Sequence, residues 1–296
     1  MVARSQAPVI AESFDGESFT ERVLAWGAPR LRDLPWRRTR DPWAVLVSEV
    51  MLQQTQVSRV ILRWEQFLVR FPTPAACARA PLGDVLSEWQ GLGYPRRAQN
   101  LHATARRVVE LGFFPRDLEG LLELPGVGQY TARALRAFAF ELDSAVIDTN
   151  IARVYARVIG EPLRQRRVQE VADSAAPSGD AWIWNQCMID LGAVLCRPRS
   201  PSCHDCPVRV QCAWQGSELP DPAIGSSGVS ARQPRFEGSD RQARGRLMKA
   251  LTLGPVSRSR LVEVMGRDSD TAERLANDLV REGLCSTDWL TIRLPS

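Results

Sequence analysis

Cys196, Cys203, Cys206 and Cys212 stand with six, two and five residues between them. So short a loop cannot bury four thiols as a core, but four thiolates can surround one soft metal centre, either zinc or an iron–sulfur cluster. Disulfide pairing fits poorly, because nothing else marks the chain as secreted. Two carboxylates give a second chemical signal. Glu49 lies in Trp43-Ala-Val-Leu-Val-Ser-Glu-Val-Met-Leu52, a stretch apolar almost all round. Burial there disfavours the ionised form and raises the pKa, which keeps a proton donor available near neutral pH. On composition alone, a local helical partner or a narrow exposed stripe shared with Ser48 accounts for Glu49 more readily. Asp148 directly precedes Thr149-Asn150-Ile151, the place of a helix N-cap. Paired carboxyl groups suit the breaking of a glycosidic bond, one as acid and the other as charge stabiliser or nucleophile. Whether these two meet is decided by the fold.

Leu124-Pro-Gly-Val-Gly128, followed by Gln129-Tyr130-Thr131-Ala132, reads as a tight turn opening onto a helix N-terminus. Backbone N–H groups in such a turn can hold a phosphate without side-chain charge. Helix–hairpin–helix elements of DNA-binding proteins have this form, as does an ordinary glycine-containing helical turn. Lys249 is the only lysine, so nearly all positive charge is arginine. It clusters at Arg37, Arg38 and Arg40, at Arg96 and Arg97, and at Arg164, Arg166 and Arg167. Guanidinium groups grip phosphate with two parallel bonds, although a solvated face would show the same clusters.

Helices must position these residues. The chain has 296 residues, 44% apolar and 24% charged, with a net charge of +4, as expected of about two globular domains. Apolar residues recur at helical spacing from Glu17 to about Cys212, which predicts an all-α body. Helices are expected over 42–52, 56–70, 82–89, 96–111, 117–123, 129–140, 149–159, 166–174 and 181–194. Residues 217–238, rich in Ser, Gly and Pro, read as a linker. Helical patterns over 239–252, 257–265 and 269–282, then a strand-like Trp289–Leu294, suggest a small winged-helix-like module. Cys77, Cys187 and Cys285 are expected to be buried. No apolar run reaches membrane-spanning length and the N-terminus has no apolar signal core, so a cytoplasmic protein is expected.

Six motifs occur in order: Pro35-Trp36-Arg37, Ser48-Glu-Val-Met-Leu-Gln-Gln-Thr-Gln56, Gly91-Leu-Gly-Tyr94, Leu124-Pro-Gly-Val-Gly128, Asp148-Thr-Asn150 and the cysteine loop. Together they resemble the MutY-type adenine DNA glycosylases of the helix–hairpin–helix, endonuclease III-like superfamily, over roughly residues 17–215. The resemblance implies a two-lobed, all-α repair enzyme acting on double-stranded DNA as a monomer. It would excise adenine mispaired with 8-oxoguanine or guanine after flipping the base out of the stack. It implies Glu49 as the acid at adenine N7, Asp148 as stabiliser or captor of the oxocarbenium-like sugar, and Tyr130 and Asn150 as groups positioning them. Gln54 and Tyr94 match residues that wedge into the base stack, Thr55 and Leu92 lie near the oxidised guanine, and Trp36, Arg37 and Gln186 surround the flipped adenine. Gly126 and Gly128 belong to the DNA-binding hairpin. Cys196, Cys203, Cys206 and Cys212 would hold a 4Fe–4S cluster, with Arg197 and Arg199 near DNA phosphates.

Bifunctional relatives carry a Schiff-base lysine just after the hairpin, where this chain has Tyr130, so a monofunctional glycosylase is expected. Pro95 replaces a common second aromatic, and Thr149 stands where the family commonly has glycine. Residues 217–296 are too few for the Nudix-like domain of many members. The remaining module is either an auxiliary DNA-binding element or a solvated helical cap. The expected organisation is a cluster-bearing lobe (1–30 and 146–216), a barrel lobe with the hairpin (31–145), the linker and the module (239–296). The rival functions are a thymine or uracil mismatch glycosylase and a non-enzymatic iron–sulfur DNA-binding regulator.

Overall fold

Side-chain caps set where many of the helices begin. In the computed structural model, which describes residues 16–229 and 235–296, contacts divide the chain into two units. One comprises the chain up to Arg37 with Ala132–Ala231, the other Arg38–Thr131 with Arg232–Ser296. The N-terminal stretch read for a signal core, residues 1–15, lies outside the described residues, as does 230–234 of the expected linker. Helix α1 (Gly16–Gly27) belongs to the first unit. The body of the second is α2 (Pro42–Leu52), α3 (Val57–Arg70), α4 (Pro74–Arg79), α5 (Leu82–Glu88), α6 (Arg96–Leu111) and α7 (Leu118–Leu122). Helix α8 (Gln129–Phe138) starts in the second unit and carries the chain back to the first, which α9 (Thr149–Ile159), α10 (Gln165–Ala175), α11 (Ala181–Asp190) and the cysteine loop complete. The second unit ends with α12 (Asp240–Leu251), β1 (Val256–Ser257), α13 (Leu261–Met265), α14 (Ser269–Arg281), β2 (Ser286–Thr287) and β3 (Thr291–Arg293). Among the described residues no helix is long and apolar enough to cross a membrane.

In the first unit Phe19 of α1 packs edge-on to Trp184 of α11, with ring centroids 6.0 Å apart, and is tilted against Tyr155 of α9 at 6.2 Å. α1 and α11 approach closely because Gly27 has no side chain; a Cβ there would stand 2.6 Å from Cys187 Sγ. Residues 217–229, expected within a linker, pack onto this unit instead. Ala223 joins its core, and Ser226 and Ser227 bond both sides of Leu163. Backbone and small polar side chains make these contacts, so hydrophobic periodicity did not reveal them.

In the second unit Asp41 accepts from Trp43 N and Ala44 N and Pro42 follows, so α2 starts where the cap and the fixed proline φ allow. Residues 43–51 of α2 are all buried. Trp43 of α2 is tilted against Phe67, which meets Trp89 edge-on, and Trp64 Nε1 donates to Ala44 O at 2.8 Å. The C-terminal elements form a three-stranded antiparallel sheet, ordered β1-β3-β2, with Val256 paired to Ile292, and a trio of mutually packed helices, α12, α13 and α14. This is winged-helix-like topology. β1 and β2, two residues each, are too short to show alternation in the sequence.

Candidate active site

Helix α2 carries Glu49 on its last turns, 4% exposed among Val45, Leu46, Val50 and Met51. Its C-terminal end is finished by Arg97 of α6. The guanidinium donates to Val50 O (2.7 Å), Met51 O (3.1 Å) and Gln53 O (2.7 Å), carbonyls at or beyond the helix end. It also bonds Leu92 O, Gly93 O and the Thr55 hydroxyl, at 2.9, 3.0 and 3.2 Å. One side chain therefore holds the Gln53–Thr55 turn against the Leu92–Tyr94 turn, and Thr55 Oγ1 reaches Leu92 O at 3.3 Å. Burial lowers the Arg97 pKa to about 10, which leaves it charged at neutral pH. Arg97, read in sequence as part of a phosphate-gripping cluster, is turned inward. Gln54 (φ 55°) and Tyr94 (φ 49°) occupy the left-handed region, a strained setting for residues with side chains.

The hairpin lies between α7 and α8. Gly126 is needed there on two counts: its φ is +74°, and a Cβ would stand 2.6 Å from Asn100 Cβ. Gly128 is different. It is exposed, and a Cβ there would meet nothing within 4 Å, so the backbone is bare toward the outside. Tyr130 is half-buried in the first turn of α8.

In the first unit, Asp148 caps α9. Oδ1 accepts from Asn150 N (2.9 Å) and Ile151 N (2.7 Å), and Oδ2 from Asn150 Nδ2 (2.8 Å). Enclosure raises the Asp148 pKa above the ordinary carboxylate value, against the pull of these donors and of the Arg153 charge. Asn150 is held in turn by Arg153, whose guanidinium donates to Asn150 Oδ1, Gly192 O and Cys196 O at 2.8, 2.7 and 2.7 Å. Gly192 admits Asn150 by lacking a side chain; a Cβ would lie 2.6 Å from Asn150 Cβ. On α11 the buried Gln186 lies one turn before Asp190, whose carboxylate receives a two-pronged ion pair from Arg37, both contacts at 2.8 Å, and two further bonds from Arg32, from its backbone N–H at 2.9 Å and its Nε at 2.7 Å. Burial alone would raise Asp190, but these partners hold it below the usual range. The pair docks the turn carrying Trp36 and Arg37 onto α11 near Gln186.

Cys196, Cys203, Cys206 and Cys212 line one pocket with Val154, Leu191 and Val208. Among the described residues no three acidic, His or Cys side chains are grouped to hold a single ion. As thiols, burial raises Cys206 to about 11 and lifts Cys203 and Cys212 as well, so thiolates there need compensating positive charge. Arg157 frames the cavity: Nη1 lies 3.3 Å from Cys196 Sγ and 2.8 Å from Arg197 O, and Nη2 pairs with Asp221 at 2.6 Å. Arg197, Pro198 and Arg199 are exposed on the loop. Cys77, Cys187 and Cys285 are buried.

The chain is 39% identical over 271 residues to an adenine DNA glycosylase of Mycolicibacterium smegmatis, spanning 88% of this chain and 90% of that one. It belongs to the adenine DNA glycosylase family. Residues 47–174 match the HhH-GPD superfamily base excision DNA repair protein family. The adenine DNA glycosylase of Homo sapiens is 42% identical over 216 residues, covering 66% of this chain and 39% of the human one. Among solved structures, a thermostable thymine-DNA glycosylase superposes with a TM-score of 0.65 at 30% identity, over 68% of this chain and 96% of that chain. Within this adenine DNA glycosylase family member, each unit gathers its own expected set. Glu49, Gln54, Thr55, Leu92, Tyr94, Gly126, Gly128 and Tyr130 fall in the second, and Trp36, Arg37, Asp148, Asn150, Gln186 and the cysteines in the first. Sequence reasoning missed Asp190, Arg153, Arg157 and Asp221. The available signal was two arginines four apart in the apolar run Ile151–Ile159.

Replacing Arg97 by Ala leaves carbonyls of the α2 end and the Leu92–Gly93 turn without their donor. A loss of about 2–4 kcal/mol in unfolding free energy is expected from denaturant titration. Arg97→Lys should recover little, because one ammonium cannot span these acceptors.

Proposed function

We propose that this protein removes adenine mispaired with 8-oxoguanine or guanine in double-stranded DNA, hydrolysing the N-glycosidic bond and leaving the strand intact. The observation that carries the reading is a glutamate 4% exposed inside an apolar helix, in a member of the adenine DNA glycosylase family. A carboxyl group so placed is suited to act as a general acid. Adenine cannot be protonated at N7 and cleaved at its sugar while stacked, so the nucleotide is first flipped out. Glu49 gives its proton to N7, the C1′–N9 bond breaks, and adenine leaves neutral with the bonding electrons. Asp148, as the carboxylate, stabilises the cationic sugar until water adds at C1′ and releases a proton. Asn150 and Tyr130 position the two carboxyl groups.

Gln54 and Tyr94, held on strained turns, enter the base stack, with Thr55 and Leu92 beside the oxidised guanine. Trp36 and Gln186 form the adenine pocket, and Arg37, bound to Asp190, fixes its wall. Bare backbone at Gly128 with Gly126 lets a DNA phosphate approach the N-terminus of α8. With tyrosine rather than lysine at position 130, no amine is available there for Schiff-base strand cleavage. Cys196, Cys203, Cys206 and Cys212 fit a 4Fe–4S cluster: four soft donors line one pocket, with Arg157 directed at a sulfur. When bound, the cluster supplies positive charge and shapes the loop carrying Arg197 and Arg199 toward phosphates. The protein acts as a cytoplasmic monomer.

Duplexes holding A:8-oxoguanine, A:G, T:G or U:G, incubated with the protein and then treated with alkali, test this reading. Breaks at adenine are expected, and release of a pyrimidine alone would overturn it. Glu49→Gln should bind the A:8-oxoguanine duplex and lose about 2–4 orders of magnitude in single-turnover rate; a fully active variant removes Glu49 from the chemistry.

Asn150→Ala removes a donor that favours ionised Asp148, so the carboxyl pKa rises further. The acid limb of the single-turnover pH–rate profile should move to higher pH by about one unit. Movement to lower pH contradicts the assigned role. Purified protein should contain iron and acid-labile sulfide in equal amounts, lost on Cys203→Ser; zinc in their place would overturn the cluster.

A further inference from the structure

The winged-helix-like module grips the turn that carries Tyr94. Arg241 of α12 donates from Nη1 to the Tyr94 hydroxyl at 2.8 Å, with its guanidinium carbon 5.8 Å from the ring centroid. Arg97 lies 5.6 Å from the same centroid, so two cations attend one ring whose backbone is already strained. The module is seated for this contact. Gly83 N donates to Pro295 O at 2.9 Å, and a Cβ at Gly83 would stand 2.4 Å from that oxygen. Gln99 Nε2 on α6 donates to Glu282 O at 2.9 Å. Many of the module's other arginines are bound to its own carboxylates: Arg244 to Glu282, Arg258 to Glu273, and Arg267 and Arg274 to Asp240. Charges so engaged are poorly placed to grip phosphate, whereas Arg241 is directed at Tyr94.

We propose that the C-terminal module braces the Tyr94 turn, with Arg241 as a positioning residue that presets the ring for entry into the base stack. The inference rests on the reading of Tyr94 as a stack-entering residue. A tyrosine on a turn loses rotamer freedom when it inserts; a hydrogen bond and a cation at its hydroxyl end restrict it beforehand, which lowers the cost on binding. The brace supplies no group to the reacting atoms.

The test uses the full chain and an A:8-oxoguanine duplex with 2-aminopurine beside the mispair, whose fluorescence reports unstacking. Arg241→Ala should lower the single-turnover excision rate about fivefold and reduce the fluorescence rise, with an unchanged thermal midpoint. Arg241→Lys, which keeps a cation and a donor, should recover most of both signals. In a Tyr94→Phe background, Arg241→Ala should do less than in the wild type, because the hydroxyl it bonds is gone. Arg260→Ala, which removes an exposed pair with Glu263 on the same module, should change nothing. A neutral Arg241→Ala beside a crippled Tyr94→Ala overturns the brace alone, as do independent effects of Arg241→Ala and Tyr94→Phe. A fully active Tyr94→Ala overturns the stack-entry reading itself, and the brace with it.

Discussion

Arg153 is 3% exposed and spends its guanidinium on Thr149 O, Asn150 Oδ1, Gly192 O and Cys196 O. Those acceptors belong to the first turn of α9, to the π-helical stretch Leu191–Leu195 that follows α11, and to the first cysteine of the loop. An arginine buried this way is stable only because each donor finds an oxygen. The reverse also holds: remove it, and carbonyls at two chain reversals lose their partner together. The cap at Asp148 and the start of the cysteine loop are therefore one mechanical piece, although Asp148 and Cys196 are far apart in sequence. In this way the cysteine loop supports the geometry of the Asp148 carboxylate.

The same device recurs at Arg97, Arg157 and Arg37, each bonded to main-chain or carboxylate oxygens at a junction between elements. Lysine would not serve. Its three donors radiate from a point, while a guanidinium presents five across a plane and can span carbonyls several ångströms apart. Composition and architecture are linked in this way: a chain with a single lysine has recruited arginine for its internal joints. The scarcity of lysine also leaves no amine at position 130, where in the proposed chemistry a Schiff base would compete with water.

Much of this was legible in advance, for identifiable reasons. Helix α2 announced itself by Asp41-Pro42 and an unbroken apolar run, and the cysteine spacing anticipated four cysteines around one pocket. Helix α4 was missed because six residues starting at Pro74 carry no periodicity, only a Thr73 cap bonded to Ala76 N. The packing of residues 217–229 was missed because it depends on Asp221 and Ser226, polar residues that read as solvent-facing. Arginine posed the sharpest difficulty. Arg96 and Arg97 look alike in sequence, yet one is exposed and the other closes a helix end. Residue type gives the donors; only the arrangement of carbonyls says which arginine is consumed internally.

The two carboxyl groups need opposite protonation states for the proposed chemistry. Glu49 is 4% exposed on a helix whose neighbouring residues are mainly aliphatic. Asp148 is enclosed too, and enclosure alone pushes it toward the protonated form, which could not stabilise a cationic sugar. Two N–H groups at the N-terminus of α9, the Asn150 amide and the Arg153 charge oppose that push. The N-cap and the catalytic assignment are thus not competing accounts of Asp148. The donors that start the helix also favour its charged form, and Arg153 keeps one of them, Asn150, in place.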